Sequence, residues 1–134
     1  MKIDHLDHLV LTVADIDVTV DFYVRVLGMT EHTFGGGRKA LVFGPSKINL
    51  HAVGNEFEPK AAHATSGSAD LCFVAADPLS DVSAHLTACG VAIEEGPIDR
   101  TGAHGPIRSV YVRDPDHNLI ELSNYLDAGD LPGV

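Results

Sequence analysis

Tryptophan is absent, cysteine occurs twice, and nine Lys and Arg stand against nineteen Asp and Glu. Each shortage closes a class of function. A net charge of −10 leaves no basic face for a phosphate backbone, so nucleic acid is not an expected partner. An anionic membrane surface is disfavoured for the same reason. No stretch approaches the roughly eighteen consecutive apolar residues of a membrane-spanning helix. The opening Met1-Lys2-Ile3-Asp4-His5 lacks a charged segment followed by an apolar one. No secretory signal is therefore expected, and a cytoplasmic location follows by default. Cys72 and Cys89 show no spacing signature. Set in apolar stretches, they read as small buried hydrophobes.

What is present fits a globular chain of one domain, residues 1–134, with 45% apolar and 21% charged residues. Its strongest feature is internal repetition. His8-Leu9-Val10-Leu11-Thr12-Val13-Ala14-Asp15 reads position for position against Asp70-Leu71-Cys72-Phe73-Val74-Ala75-Ala76-Asp77. Thirteen residues after each closing Asp comes a glycine, Gly28 and Gly90. Two copies of one supersecondary unit are the simplest account.

Each copy opens on a β-rich run, then a capped helix. In the first, Asp15 or Asp17 caps a stripe of Ile16, Val20, Tyr23 and Leu27, and Gly28 stops it. In the second, Asp77 caps, Pro78 takes the first helical position, and Val82, Leu86 and Cys89 form the stripe before Gly90. Three short β-like runs follow each glycine: 29–34, 38–43 and 47–53, then 91–94, 108–113 and 118–124. Gly35-Gly36-Gly37 reads as a hairpin tip, having neither a following helix nor the Lys-Ser/Thr of a phosphate loop. Asp114-Pro115-Asp116-His117 reads as a tight turn, with His117 in a constrained conformation. The unit is strand, helix, three strands: module one at about 4–53, a linker at about 54–68, module two at about 69–125.

The motifs of this repeat carry a resemblance. His8 in the opening strand, Asp21-Phe22-Tyr23 before Leu27-Gly28-Met29, and Asp114-Pro115-Asp116-His117-Asn118-Leu119-Ile120-Glu121-Leu122 resemble the vicinal-oxygen-chelate superfamily. That superfamily includes glyoxalase I, extradiol dioxygenases, fosfomycin-resistance enzymes and bleomycin-resistance proteins. Lys47-Ile48-Asn49-Leu50-His51, Glu95-Gly96-Pro97 and Arg100-Thr101-Gly102-Ala103 look similar to its glyoxalase-domain-containing subgroup. The resemblance implies an α+β fold in which two βαβββ modules pair into a cup-shaped mixed sheet with helices outside, and it implies a homodimer.

It also implies a metal site. Four equivalent strand positions fall at His8, at His51 or Asn49, at Asp70 and at Glu121. Aligning the last strands from their turns sets His51 opposite Glu121, whereas matching Ile48-Asn49-Leu50 with Ile120-Glu121-Leu122 chooses Asn49. Strand alternation puts 49 and 51 on one face. His51 is preferred, because imidazole binds divalent metals more readily than a carboxamide. The expected set is His8, His51 and Glu121 on a divalent ion (Ni, Zn, Mn or Fe), with Asp70 as a fourth ligand or a base. Glu121 and Asp70 are the candidate catalytic carboxylates. Asn49, Thr12 and Ser123 are expected on the same inward faces, and Arg100 and His104, in a Gly-rich loop, are candidate substrate contacts. Phe34 and Phe43 could wall the cavity, though core burial is the simpler reading, and His5, His32, His63 and His85 read as surface. No Ser or Cys has an evident paired base, which argues against a nucleophilic mechanism.

Two functions follow. The first is a metal-dependent enzyme that chelates two adjacent oxygens of a small substrate and acts as a lyase, an isomerase or a dioxygenase. The second is a metal-free protein that sequesters a small molecule, as bleomycin-resistance proteins do.

Overall fold

Thirteen residues after its capping Asp15, Gly28 takes a φ of +71°, the left-handed stop that only glycine adopts without strain. That stop ends the first of two α-helices in the computed structural model, which describes residues 1–130. The chain divides into two compact units, Met1–Ala69 with Pro115–His117, and Asp70–Asp114 with the residues from Asn118 onward.

In unit one, β1 (His8–Val13), α1 (Ile16–Arg25), β2 (Thr30–Phe34), β3 (Arg38–Phe43) and β4 (Ser46–Ala52) build a mixed sheet of order β1-β4-β3-β2. β1 and β4 run parallel and the other pairs antiparallel. Asp15 caps α1 by accepting from the Val18 amide at 3.1 Å. The helix buries Thr19, Phe22 and Tyr23, with Val26 just beyond its end. This stripe lies one position off the expected Ile16, Val20, Tyr23 and Leu27, because the packing centre is the Phe22–Tyr23 edge-to-face pair, 5.4 Å between ring centres. Against it lies the sheet face of Leu11, Val13, Leu41, Ile48 and Leu50, all at most 5% exposed. β2 and β3 meet around Gly35-Gly36-Gly37, with Phe34 opposite Arg38. The hairpin is the one expected.

Unit two repeats the plan with β5 (Asp70–Val74), α2 (Leu79–Ala88), β6 (Glu95–Gly102), β7 (Gly105–Arg113) and β8 (Leu119–Tyr125), in the order β5-β8-β7-β6. Val110, Val112, Ile120 and Leu122 form its core face, and Leu79 and Leu86 are the buried residues of α2. Asp77 does not cap α2. Asn124, on β8, does so from afar: its Oδ1 accepts from the Leu79 amide at 2.7 Å and its Nδ2 donates to the Asp77 and Ala75 carbonyls.

β6 is the strand displaced furthest from expectation. It runs over 95–102 rather than 91–94, through Gly96-Pro97 and a register shift between Glu95 and Ile98. An edge strand tolerates this, since proline forfeits a ladder bond only where a neighbour would need it. Gly96 is required there: at φ +111° an added Cβ would lie 2.4 Å from the Ser109 carbonyl oxygen. The turn before β8 behaves as read. Asp114 accepts from the Asn118 amide and side chain at 3.0 and 2.8 Å, and His117 sits at φ +67°.

Candidate functional site

Strand pairing sorts each sheet into two faces. In unit one the face away from the α1-packed core carries His8, Val10 and Thr12 from β1 and their partners Lys47, Asn49 and His51 from β4. Ala40 of β3 lies opposite Asn49, and Arg38, one rung beyond the Lys39–Leu50 pair, falls opposite His51. Asn49 and His51 are each 6% exposed, and Asn49 Oδ1 and His51 Nε2 are buried without a hydrogen-bond partner. Such atoms cost on the order of 1–3 kcal/mol each when left unpaired. Burial, reinforced by the Arg38 charge, holds the His51 imidazole below its ordinary pKa, against a smaller opposite pull from Glu56. His51 is thus kept neutral. His8 is half-exposed, and its Nδ1 donates to the Asp7 carboxylate at 2.7 Å. That bond fixes the tautomer that presents Nε2 as an acceptor, the arrangement usual for a metal-binding imidazole.

The linker adds to this face. Phe57 brings its ring to 5.6 Å from that of His51 and 4.6 Å from the Arg38 guanidinium carbon. Phe34 lies 4.9 Å from the same carbon and 4.3 Å from Lys47 Nζ. Of the two places open to Phe34, core or cavity wall, alternation from the Gly35–37 hairpin sets it on the polar face beside Arg38. Phe57, Arg38 and Lys47 escaped the sequence reading. The register of that hairpin was a usable signal for Arg38, but nothing local announced Phe57.

In unit two the corresponding face carries Asp70, Cys72 and Val74 from β5 opposite Leu119, Glu121 and Ser123 from β8, with Ser109 and Tyr111 from β7. Here the polar groups satisfy one another. Ser109 Oγ donates to Glu121 Oε2 at 2.5 Å, and lies 2.7 Å from Ser123 Oγ. Cys72 Sγ stands 3.3 Å from Ser123 Oγ. Ser109 therefore does have a carboxylate partner, unseen in the sequence because twelve residues separate them. Its complete burial denies it a nucleophile's access. Cys72 is exposed and Cys89 half-buried, which corrects the reading of both as core. Cys72 lies on the polar side of β5, where an apolar-looking run concealed the alternation.

Arg100 belongs to β6 rather than to a loop, donating to the Tyr111 hydroxyl at 3.1 Å and to Glu95 at 3.4 Å. His104 sits in the two-residue turn between β6 and β7, where its amide donates to the Tyr125 hydroxyl at 3.1 Å. Thr12 and Ser123 lie on the expected faces and are buried.

Ladder register also settles which residue of β4 corresponds to Glu121. Val10 and Cys72 are equivalent in the repeat, and their partners are Asn49 and Glu121. Asn49 is thus the counterpart of Glu121, and His51 that of Ser123. Moreover His51 lies four rungs from the row of His8, roughly 13 Å of strand. Parallel side chains so far apart do not converge on an ion about 2 Å from each ring. Asn49, two rungs away, is better placed beside His8. Among the described residues no three His, Cys, Asp or Glu side chains form a group fit to hold a cation.

The profile of the Glyoxalase/Bleomycin resistance protein/Dioxygenase superfamily matches residues 5–122. The chain is 59% identical over 128 residues to the glyoxalase domain-containing protein RDO1 of Mycosarcoma maydis, covering 96% of this chain and 72% of that protein. It is 56% identical over 126 residues to virulence protein STM3117 of Salmonella typhimurium, covering 94% and 88%. A crystallised integron cassette protein from the mobile metagenome of V. cholerae shares 62% identity at a TM-score of 0.92, covering 94% and 98%. TnmS3, an antibiotic binding protein from Streptomyces, shares the fold at 23% identity and a TM-score of 0.73, covering 94% and 99%. Family match, close relatives and two four-stranded sheets of the same strand order agree: the chain belongs to the glyoxalase/bleomycin resistance/dioxygenase superfamily.

Proposed function

We propose that the protein is a metal-dependent enzyme acting on a small substrate that presents two adjacent oxygens. The observation that supports this reading is the buried, unpartnered Oδ1 of Asn49, two rungs from a His8 ring whose tautomer Asp7 fixes. An orphaned oxygen on the same sheet face as an oriented imidazole supports a donor set lacking its acceptor. As the family resemblance implies, we take His8, Asn49, Glu121 and Asp70 as the residues that would hold a divalent ion. The set therefore exchanges His51 for Asn49.

A divalent ion, when bound, supplies a Lewis acid for oxygen. The chain's own part is orientation and proton transfer. Ser109 anchors Glu121 through Oε2, fixing the carboxylate so that Oε1 can take or return a proton. Thr12 and His51, paired on the floor of unit one, orient the substrate's polar end. Neutral at physiological pH, His51 can do so without adding charge.

Metal analysis of protein purified and then loaded with Ni, Zn, Mn or Fe tests the proposal. One equivalent per site is expected, together with a rise in melting temperature. Both should be lost in His8→Ala and in Glu121→Ala. Failure of the wild type to take up any of these ions between roughly pH 7 and 8, where imidazole is largely neutral, overturns it. The second reading, a metal-free binding protein, draws support from Phe34 and Phe57, which give this tryptophan-free chain an aromatic lining on the same face. It predicts small-molecule binding that is indifferent to chelators.

A further inference from the structure

Cations in this acidic chain are mostly neutralised. Among the described residues Arg25, Lys39, Lys60, Arg100, Arg108 and Arg113 each ion-pair with a carboxylate. Apart from Lys2 near the start of the chain, only Arg38 and Lys47 do not. Both are half-buried on the polar face of unit one, and both are held by rings, Arg38 by Phe34 and Phe57 and Lys47 by Phe34. Two cations sharing one ring repel each other, and the attraction of a ring face is weak beside that of a carboxylate. Nineteen acids were available to pair them. A face that gathers cations and leaves them without a carboxylate at ion-pair distance, Asp7 acting on Lys47 and Glu56 on His51 only from further off, is arranged for an anion from outside.

A second observation points the same way. His51, 6% exposed and lacking a partner at Nε2, packs on the Phe57 ring that also packs on Arg38. Its Nε2–H tautomer is a donor without an acceptor. We propose that Arg38, Lys47 and His51 form an oxyanion site for the carboxylate or phosphate group of a small organic acid, with Phe34 and Phe57 holding the guanidinium in place. Arg38 supplies the planar, two-pronged donor set that such groups match, and the rings reduce the entropy lost in presenting it. Lys47 adds a point charge and His51 one directed hydrogen bond. Burial strengthens all three relative to a surface cation. Calling this anion the substrate rests on the proposed function. The anion site itself rests on unit one alone.

Full-length protein stripped of metal would be titrated with lactate and, separately, with inorganic phosphate, while the Arg38 Nε–H and the β3 and β4 amides are followed by NMR. Sodium chloride at matched ionic strength is the control. Saturable shifts centred on Arg38 are expected with at least one of the two, and the better probe tells carboxylate from phosphate. Arg38→Gln should weaken binding at least tenfold. Arg38→Lys, which keeps the charge and loses the fork, should weaken it less. Lys47→Gln, which leaves Arg38 and its rings intact, should weaken it severalfold and guards against a folding defect in the Arg38 variants. No saturable shift with either probe in the wild type, or binding unaltered in a folded Arg38→Gln, overturns the proposal. Because metal is absent, a failure here leaves the metal-uptake result standing, and the converse holds.

Discussion

The two sheets have the same strand order and the same alternation, yet their polar faces are chemically opposite. Asn49, His51 and Arg38 in unit one occupy the rungs of Glu121, Ser123 and Ser109 in unit two. In unit two these side chains bond to one another. In unit one the buried amide oxygen and ring nitrogen have no partner, and the guanidinium is held only by aromatic rings. A duplicated backbone thus fixes where side chains point and leaves open what they do. Unit two presents a carboxylate already set by its neighbours, and unit one presents a face left for a ligand to complete.

If unit two's polar groups are structural members, removing one must cost stability. The largest effect is expected at Asn124, which caps α2 and bonds two further carbonyls. Asn124→Ala should lower unfolding stability by about 2–3 kcal/mol, read as a fall in urea midpoint at unchanged slope. A loss below a few tenths would mean that the cap carries no weight. Next comes Ser109→Ala, which removes the short bond to Glu121 and leaves Ser123 only its longer contacts to Glu121 and Cys72, and should cost about 1–2 kcal/mol.

Unit one should respond with the opposite sign. Asn49→Val removes a buried oxygen that has no partner, so chelator-treated protein should be unchanged or more stable by up to about 1 kcal/mol. In metal-loaded protein the same change should abolish the thermal stabilisation by metal. A substantial destabilisation without metal would show that Asn49 has a structural partner after all, and would erase the contrast between the faces.

The contrast also shows what a sequence can and cannot display. The repeat, the Gly28 stop, the Gly35–37 hairpin and the Asp114 turn were legible because each is set within a few residues by backbone conformational preference. The limits of β6 were not, since Gly96-Pro97 reads as a break until the edge position excuses it. The site was half legible. His8, Asn49, His51 and Glu121 stand on the faces that alternation assigns, but the choice between 49 and 51 needed the register between β1 and β4, which no local signal carries. Phe57 and the Ser109–Glu121 bond were invisible because they join separate elements, and Cys72 misled because an apolar neighbourhood in sequence became a polar face in space.

The smallest effect separates the faces by pH. Burial, then the Arg38 charge, depresses the His51 pKa in the folded protein, so near neutrality the unfolded chain binds more protons than the folded one. Stability should therefore fall as pH drops from about 7 through the ordinary histidine value near 6.5, the full penalty being reached below the folded-state pKa. In unit two, the hydrogen bond from Arg108 holds the Asp99 carboxyl below its ordinary value. Its stabilisation is present above the unfolded value near 3.9 and is lost as pH falls through the lower folded one. Because Asp99 is exposed, solvent screening keeps that loss slight. His51→Leu should flatten the stability curve between about pH 5.5 and 7 and leave the acid limb alone, whereas Asp99→Asn should flatten only the acid limb. Equal slopes near neutrality in wild type and His51→Leu would mean that water reaches the ring freely, and the unpartnered nitrogen of unit one would then need no ligand.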